Sequence, residues 1–103
     1  MRELKNRKDF EEFLQSESRP IILDFYASWC GPCKVIAPHF QDLADMYKGI
    51  CFVKVNCDHA EDIAELFQVD ALPTFVLMKN RVEVSRFCGS KTSQLDDLVR
   101  KAL

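Results

Sequence analysis

Residues Ile21-Ile22-Leu23-Asp24-Phe25-Tyr26-Ala27 carry one charge among seven and run almost directly into Trp29-Cys30-Gly31-Pro32-Cys33. A run this apolar reads as a buried strand. From Lys34 to Lys48, apolar residues recur at Ile36, Phe40, Leu43, Ala44 and Tyr47, the spacing of a helix buried on one face. The chain must therefore pass from strand to helix within a few residues, with two cysteines at the joint. At a helix N-terminus, free N–H groups and the macrodipole favour negative charge. Cys30 falls there, and the thiolate is the form of cysteine that attacks disulfides. Cys33 follows one helical turn later, close enough to close a small disulfide ring. This segment points to thiol–disulfide exchange.

The remaining composition sets bounds on that reading. With 103 residues, 48% of them hydrophobic, the chain is expected to form one domain over 1–103 around one core. Fourteen Lys+Arg and 16 Asp+Glu are spread along it, so neither a basic stripe for nucleic acid nor an acidic tail stands out. The N-terminus is charged and no apolar run approaches ~20 residues, so no membrane partner and a cytoplasmic location are expected. Five cysteines, an odd number without an export signal, argue against a disulfide scaffold. Cys51, Cys57 and Cys88 are expected to be small buried hydrophobes. His39 and His59 have no partner pattern and are expected on helix surfaces.

Further elements follow from periodicity. Residues 2–5 suit a short first strand. Asn6 and Asp9 open a helix with Phe10, Phe13 and Leu14 on its apolar face, and Pro20 opens the strand over 21–27. Pro38 predicts a kink in the second helix, and Gly49 its stop. Ile50 to Asn56 is a strand, and Asp58 with Glu61 caps a third helix. Strands over 74–78 and 82–87 meet at Lys79-Asn80-Arg81, and Leu95, Leu98, Val99 and Ala102 mark a last helix. The order is β-α-β-α-β-α-β-β-α. That order implies an α/β fold, a central mixed five-stranded sheet flanked by four helices, parallel early and antiparallel at the closing hairpin.

Several of these motifs together resemble the thioredoxin family: Asp24-Phe25-Tyr26-Ala27, Trp29-Cys30-Gly31-Pro32-Cys33-Lys34, Ile36-Ala37-Pro38, Leu72-Pro73-Thr74-Phe75 and Gly89. The likeness covers the whole chain in order and spacing. It implies a protein-disulfide reductase in which Cys30, the more exposed thiol, attacks and Cys33 resolves the mixed disulfide. Gly31 and Pro32 would set the turn, with the proline stiffening it toward a reducing character. Pro73 resembles the family's cis-proline, aiming the backbone of Leu72 at an extended client peptide; a trans-proline opening an edge strand is the plainer reading. Trp29, Ala71, Leu72 and Gly89 would border the docking patch, unless Trp29 is simply core. Cys88 precedes Gly89, where it is either structural or a regulatory thiol. Arg81 stands where the family usually has glycine, and Asn80 is expected to take over the positive φ.

Asp24 can be argued from its surroundings alone. A carboxyl amid Ile, Leu, Phe and Tyr is desolvated, which raises its pKa and suits it to accept the proton of Cys33. Lys54, the one charge in the apolar run 50–55, would modulate it; an ordinary ion pair or a lysine reaching for the surface are the alternatives. No nucleotide-binding fingerprint is present, so no cofactor is expected to bind, and electrons would come from NADPH through a separate thioredoxin reductase. Oxidised clients such as peroxiredoxin or ribonucleotide reductase would take them. A monomer is expected, with an oxidative dimer through Cys88 as the variant. Two other classes compete: a redox-gated binding module, and a metal site, for which the remaining cysteines are irregularly placed.

Overall fold

The computed structural model describes all residues from Met1 to Leu103. Its elements are α1 Arg7–Ser16, β1 Ile21–Tyr26, α2 Gly31–Met46, β2 Cys51–Asn56, α3 Glu61–Leu66, β3 Thr74–Lys79, β4 Val82–Cys88 and α4 Thr92–Ala102. The strands form one sheet in the order β2-β1-β3-β4, with β1 parallel to β2 and antiparallel to β3, and β3 antiparallel to β4. This is a mixed α/β architecture with helices on both faces.

The expected five-stranded sheet has four strands. Only Leu4 of residues 2–5 is buried, and the segment keeps one parallel bridge, Glu3 to Lys54. The helix that starts at Arg7, capped by the Asn6 side chain on the Asp9 N–H, leaves no room to extend the pairing. The closing hairpin is antiparallel as expected, and its first strand, β3, also runs antiparallel to β1. Sixteen-residue α2 runs about 24 Å, enough to return the chain along a strand, whereas six-residue α3 runs about 9 Å, half the length of β2. So the chain re-enters the sheet antiparallel.

Strand parity builds the two cores. Ile21, Leu23 and Phe25 point with Val53, Val55 and Val76 toward α1 and α3, where Phe10, Phe13, Ile63 and Phe67 close the layer. Ile22 points with Phe52, Phe75 and Leu77 toward α2 and α4, against Ile36, Phe40, Leu95 and Leu98. Phe40 anchors that side, its ring 5.3 Å from Phe52 and 5.5 Å from Phe75. The same parity turns Asp24, Tyr26 and Lys54 toward the α2 side, and so toward the helix that begins at the cysteines.

Several local expectations need correction. Gly49 does not stop α2; the helix ends at Met46 with Tyr47 as its cap, and Gly49 lies in the turn before β2 without a left-handed backbone. Pro38 lies within the helix. At the hairpin, Asn80 and Arg81 both take positive φ, 54° and 66°, because a two-residue loop between paired Lys79 and Val82 needs two left-handed residues. His39 is not a bare surface residue: its Nε2 sits 2.7 Å from Asp96 Oδ1, joining α2 to α4. His59 lies in the turn before α3 rather than on a helix.

Candidate active site

Cys30 is the N-cap of α2, with Gly31 and Pro32 opening the helix, and it is joined to Cys33 by a disulfide across a Cα separation of 5.3 Å. Pro32 has no N–H to offer. The Cys33 N–H fills that place and donates to Cys30 Sγ at 3.2 Å. When the disulfide opens, the same donor and the helix N-terminus favour charge on Cys30. The expected difference in exposure is absent in this oxidised state, since both cysteines are buried. What separates them is the space each faces.

Cys33 faces inward. With Asp24, Tyr26, Ala37 and Lys54 it lines a hollow of about 230 Å³. Asp24 is 3% exposed and its Oδ1 has no hydrogen-bond partner. Burial pushes its carboxyl pKa up to about 7, against a smaller downward pull from the Lys54 ammonium. Register makes the two strand neighbours, yet they form no ion pair. Lys54 Nζ instead rests 4.3 Å from the centroid of the Tyr26 ring. The Tyr26 hydroxyl in turn donates to Glu3, and burial followed by that bond raises the phenol pKa to about 12. Sequence reasoning missed this Tyr26–Glu3 support, because its partners are 23 residues apart.

Cys30 faces outward. It lines a second hollow of about 440 Å³ with Trp29, Pro32, Val69, Ala71 and Leu72. Trp29 is 70% exposed, so it is not core, and its Nε1–H donates to Asp58 Oδ2 at 2.8 Å. That bond explains why Asp58 does not cap α3: the cap position is Ala60, with no side-chain bond. The Leu72–Pro73 peptide is cis. Neither the N–H nor the C=O of Leu72 is engaged by the rest of the chain, which leaves both free for an extended peptide. Gly89 donates its N–H to the Pro73 carbonyl at 3.0 Å and adopts φ 119°, a conformation suited to glycine.

The three other cysteines differ from the buried reading in part. Cys51 is buried, Cys57 half-buried and Cys88 exposed, with Cys88 Sγ 3.2 Å from Thr74 Oγ1. Burial pushes the thiols of Cys51 and Cys57 up to about 11, so neither is a ready nucleophile. Cys57 lines the same hollow as Cys30, a neighbourhood its place at the end of β2 did not reveal. No group of three or more His, Cys, Asp or Glu side chains is placed to hold a metal ion, and no helix is long and apolar enough to cross a membrane.

Comparison with known proteins gives a consistent result. A family model described as Thioredoxin matches residues 2–101. Thioredoxin-1 of Caenorhabditis elegans is 51% identical over 90 residues, covering 86% of this chain and 78% of that protein. The chain is also 40% identical over 84 residues to a peptide-N(4)-(N-acetyl-beta-glucosaminyl)asparagine amidase of the same organism, of which it spans 14%. Among solved structures, Fasciola hepatica thioredoxin superposes with a TM-score of 0.96 at 38% identity, covering 100% of both chains.

Proposed function

The chain belongs to the thioredoxin family, and from that premise we propose how its geometry carries the family's chemistry. The protein is a thiol–disulfide oxidoreductase, a general protein-disulfide reductase. Its redox partners are a reductase on one side and client proteins on the other. In the reduced state the Cys30 thiolate attacks a client disulfide, forming a mixed disulfide and releasing one client thiolate. Cys33 then gives its proton to Asp24 and attacks Cys30 Sγ, which releases the second client thiolate and closes the Cys30–Cys33 disulfide. Two electrons pass from the protein to the client, whose two thiolates take their protons from water, while the Cys33 proton rests on Asp24 until it is lost to solvent.

Observations on both hollows support these roles, and one carries them: Asp24 is buried, short of a hydrogen-bond partner and beside Cys33, not Cys30. Gly31 and Pro32 set the opening turn of α2, and Lys54 modulates Asp24 at a distance set by Tyr26. Trp29, Ala71, Leu72, Pro73 and Gly89 form the docking edge. Residues 1–103 act as a single domain and as a monomer in the cytoplasm, able to pair through exposed Cys88 under oxidation. No cofactor binds; electrons come from NADPH through a thioredoxin reductase and pass to clients such as peroxiredoxins or ribonucleotide reductase.

The test is the reduction potential of the Cys30–Cys33 couple, equilibrated against dithiothreitol and read by thiol labelling. A value near the roughly −270 mV familiar from thioredoxins supports the reductase reading. A value of about −180 to −120 mV, the range of isomerases and oxidants, would overturn it.

A further inference from the structure

The docking hollow does not end at the cysteines. Through Cys57, Val69 and Asp70 it continues into a shallow trough along α3, whose rim carries Glu61 and Glu65. Between Val55 and Met78 the chain has five carboxylates and neither lysine nor arginine. None of the five forms an ion pair. Asp58 is held by Trp29, and Asp62 by the backbone of Arg7. Arg86, which feels the charge of Asp70, is committed to Glu83 and to the Phe67 carbonyl. One wall of the groove therefore carries negative charge with no ion-pair partner, while its floor is apolar and Leu72 offers a free backbone donor and acceptor.

We propose that this protein selects disulfides in extended segments that carry lysine or arginine a few residues from the attacked cysteine, with those basic side chains lying over Glu61, Glu65 and Asp70. The proposal rests on the reductase reading and names the client class for the same groove. An extended segment gains main-chain hydrogen bonds at Leu72 whatever its sequence, so side-chain discrimination falls to the rim. Charges at a rim act chiefly on the association rate and fade with salt. An acidic segment meets the same wall with repulsion.

The experiment uses three disulfide-linked peptide dimers that differ only in the residues flanking cysteine: Lys-Lys, Ser-Ser or Glu-Glu. Protein reduced with dithiothreitol and desalted is mixed with each in a single turnover. Two electrons pass from the Cys30–Cys33 dithiol to the peptide disulfide, and quenched thiol labelling gives the rate. The expected result is reduction of the Lys-flanked dimer about tenfold faster than the Glu-flanked one at ~20 mM salt, with the ratio collapsing toward one near ~1 M. A Glu65→Lys/Asp70→Asn variant should erase the preference. Glu12→Lys/Asp42→Asn, which changes net charge equally on exposed positions of α1 and α2, should keep it. Equal rates for all three dimers in the unmodified protein at low salt refute the charge preference alone, as does an equal response of both variants. Failure to reduce even the Ser-flanked dimer, with the dithiol verified, brings down the reductase reading and this proposal with it.

Discussion

Asp24→Asn should make the oxidised protein more stable, by an amount that depends on pH in a specific way. The carboxyl moves from 3.8 to about 7 on folding, roughly three units, because burial penalises its charged form. At about 1.36 kcal/mol per unit, that amounts to about 4 kcal/mol. Below about pH 3 the group is protonated in both states, and the folded protein bears no penalty. Between pH 4 and 7 the unfolded chain ionises while the folded one holds its proton, so stability falls as pH rises. Above pH 7 the loss is complete. Against a typical 5–15 kcal/mol for a whole domain, such a loss is large.

An amide has no such titration, so the difference between variant and parent should grow with pH. Urea denaturation at pH 4, 5.5, 7 and 8.5 would follow it. The expected gap, beyond a constant offset from the changed hydrogen bonding, is about 0.5 kcal/mol at pH 4. It is about 2 kcal/mol at pH 5.5 and about 4 kcal/mol at pH 8.5. Lys54→Met provides an independent check, since removing the ammonium takes away the downward pull and should move the upper end of the transition to higher pH while its onset near pH 4 stays. Parallel stability curves for parent and Asp24→Asn from pH 4 to 8.5 would refute the idea that burial holds this proton.

Other expectations follow from the same structure. Cys33→Ser should trap mixed disulfides with clients on a non-reducing gel, while Cys30→Ser should lose disulfide reduction altogether; full activity in the latter would reverse the assigned roles. Phe75→Ala removes a fully buried ring between Phe40 and Phe87 and should cost about 3–5 kcal/mol by urea denaturation. Arg81→Gly relieves a left-handed arginine at φ 66° and should stabilise the hairpin by about 1 kcal/mol, seen as a higher melting temperature. Asp58→Ala should free the Trp29 indole and slow client reduction several-fold, with little change in the urea midpoint because both side chains are exposed.

The joint of β1, Cys30 and α2 was legible because its signals are local: an apolar run, a helical period and two cysteines one turn apart. Asp24 was legible for the same reason, since a strand this apolar is buried on both faces and any carboxyl within it is desolvated. What escaped depended on distant partners. Asp58 has the spacing of a cap with Glu61, but Trp29, 29 residues away in sequence, takes its carboxylate. Lys54 reads as an ion-pair partner for Asp24, but the Tyr26 ring, itself held by Glu3, draws the ammonium aside. The fifth strand was over-read because residues 2–5, cut short by the helix that starts at Arg7, keep a single bridge from Glu3 to Lys54.

A reductase needs two sulfurs of opposite habit within one small ring, and parity with helix geometry is enough to supply them. β1 is one strand with side chains alternating between two faces, so placing Asp24 on the α2 side fixes which cysteine it can serve. A helical turn then fixes the rest. Cys30, as N-cap, stands at the rim, where a donor N–H can hold its charge and Leu72 can hold a client. Cys33, one turn in, is directed toward the buried carboxyl. Moving the pair by one residue along α2 would rotate both by about 100° and break this division. Cys33 would turn away from Asp24, and Cys30 would leave the position that the Cys33 N–H serves. The spacing of two between the cysteines is thus tied to the parity of β1, and neither feature alone would produce an attacking thiol and a resolving one.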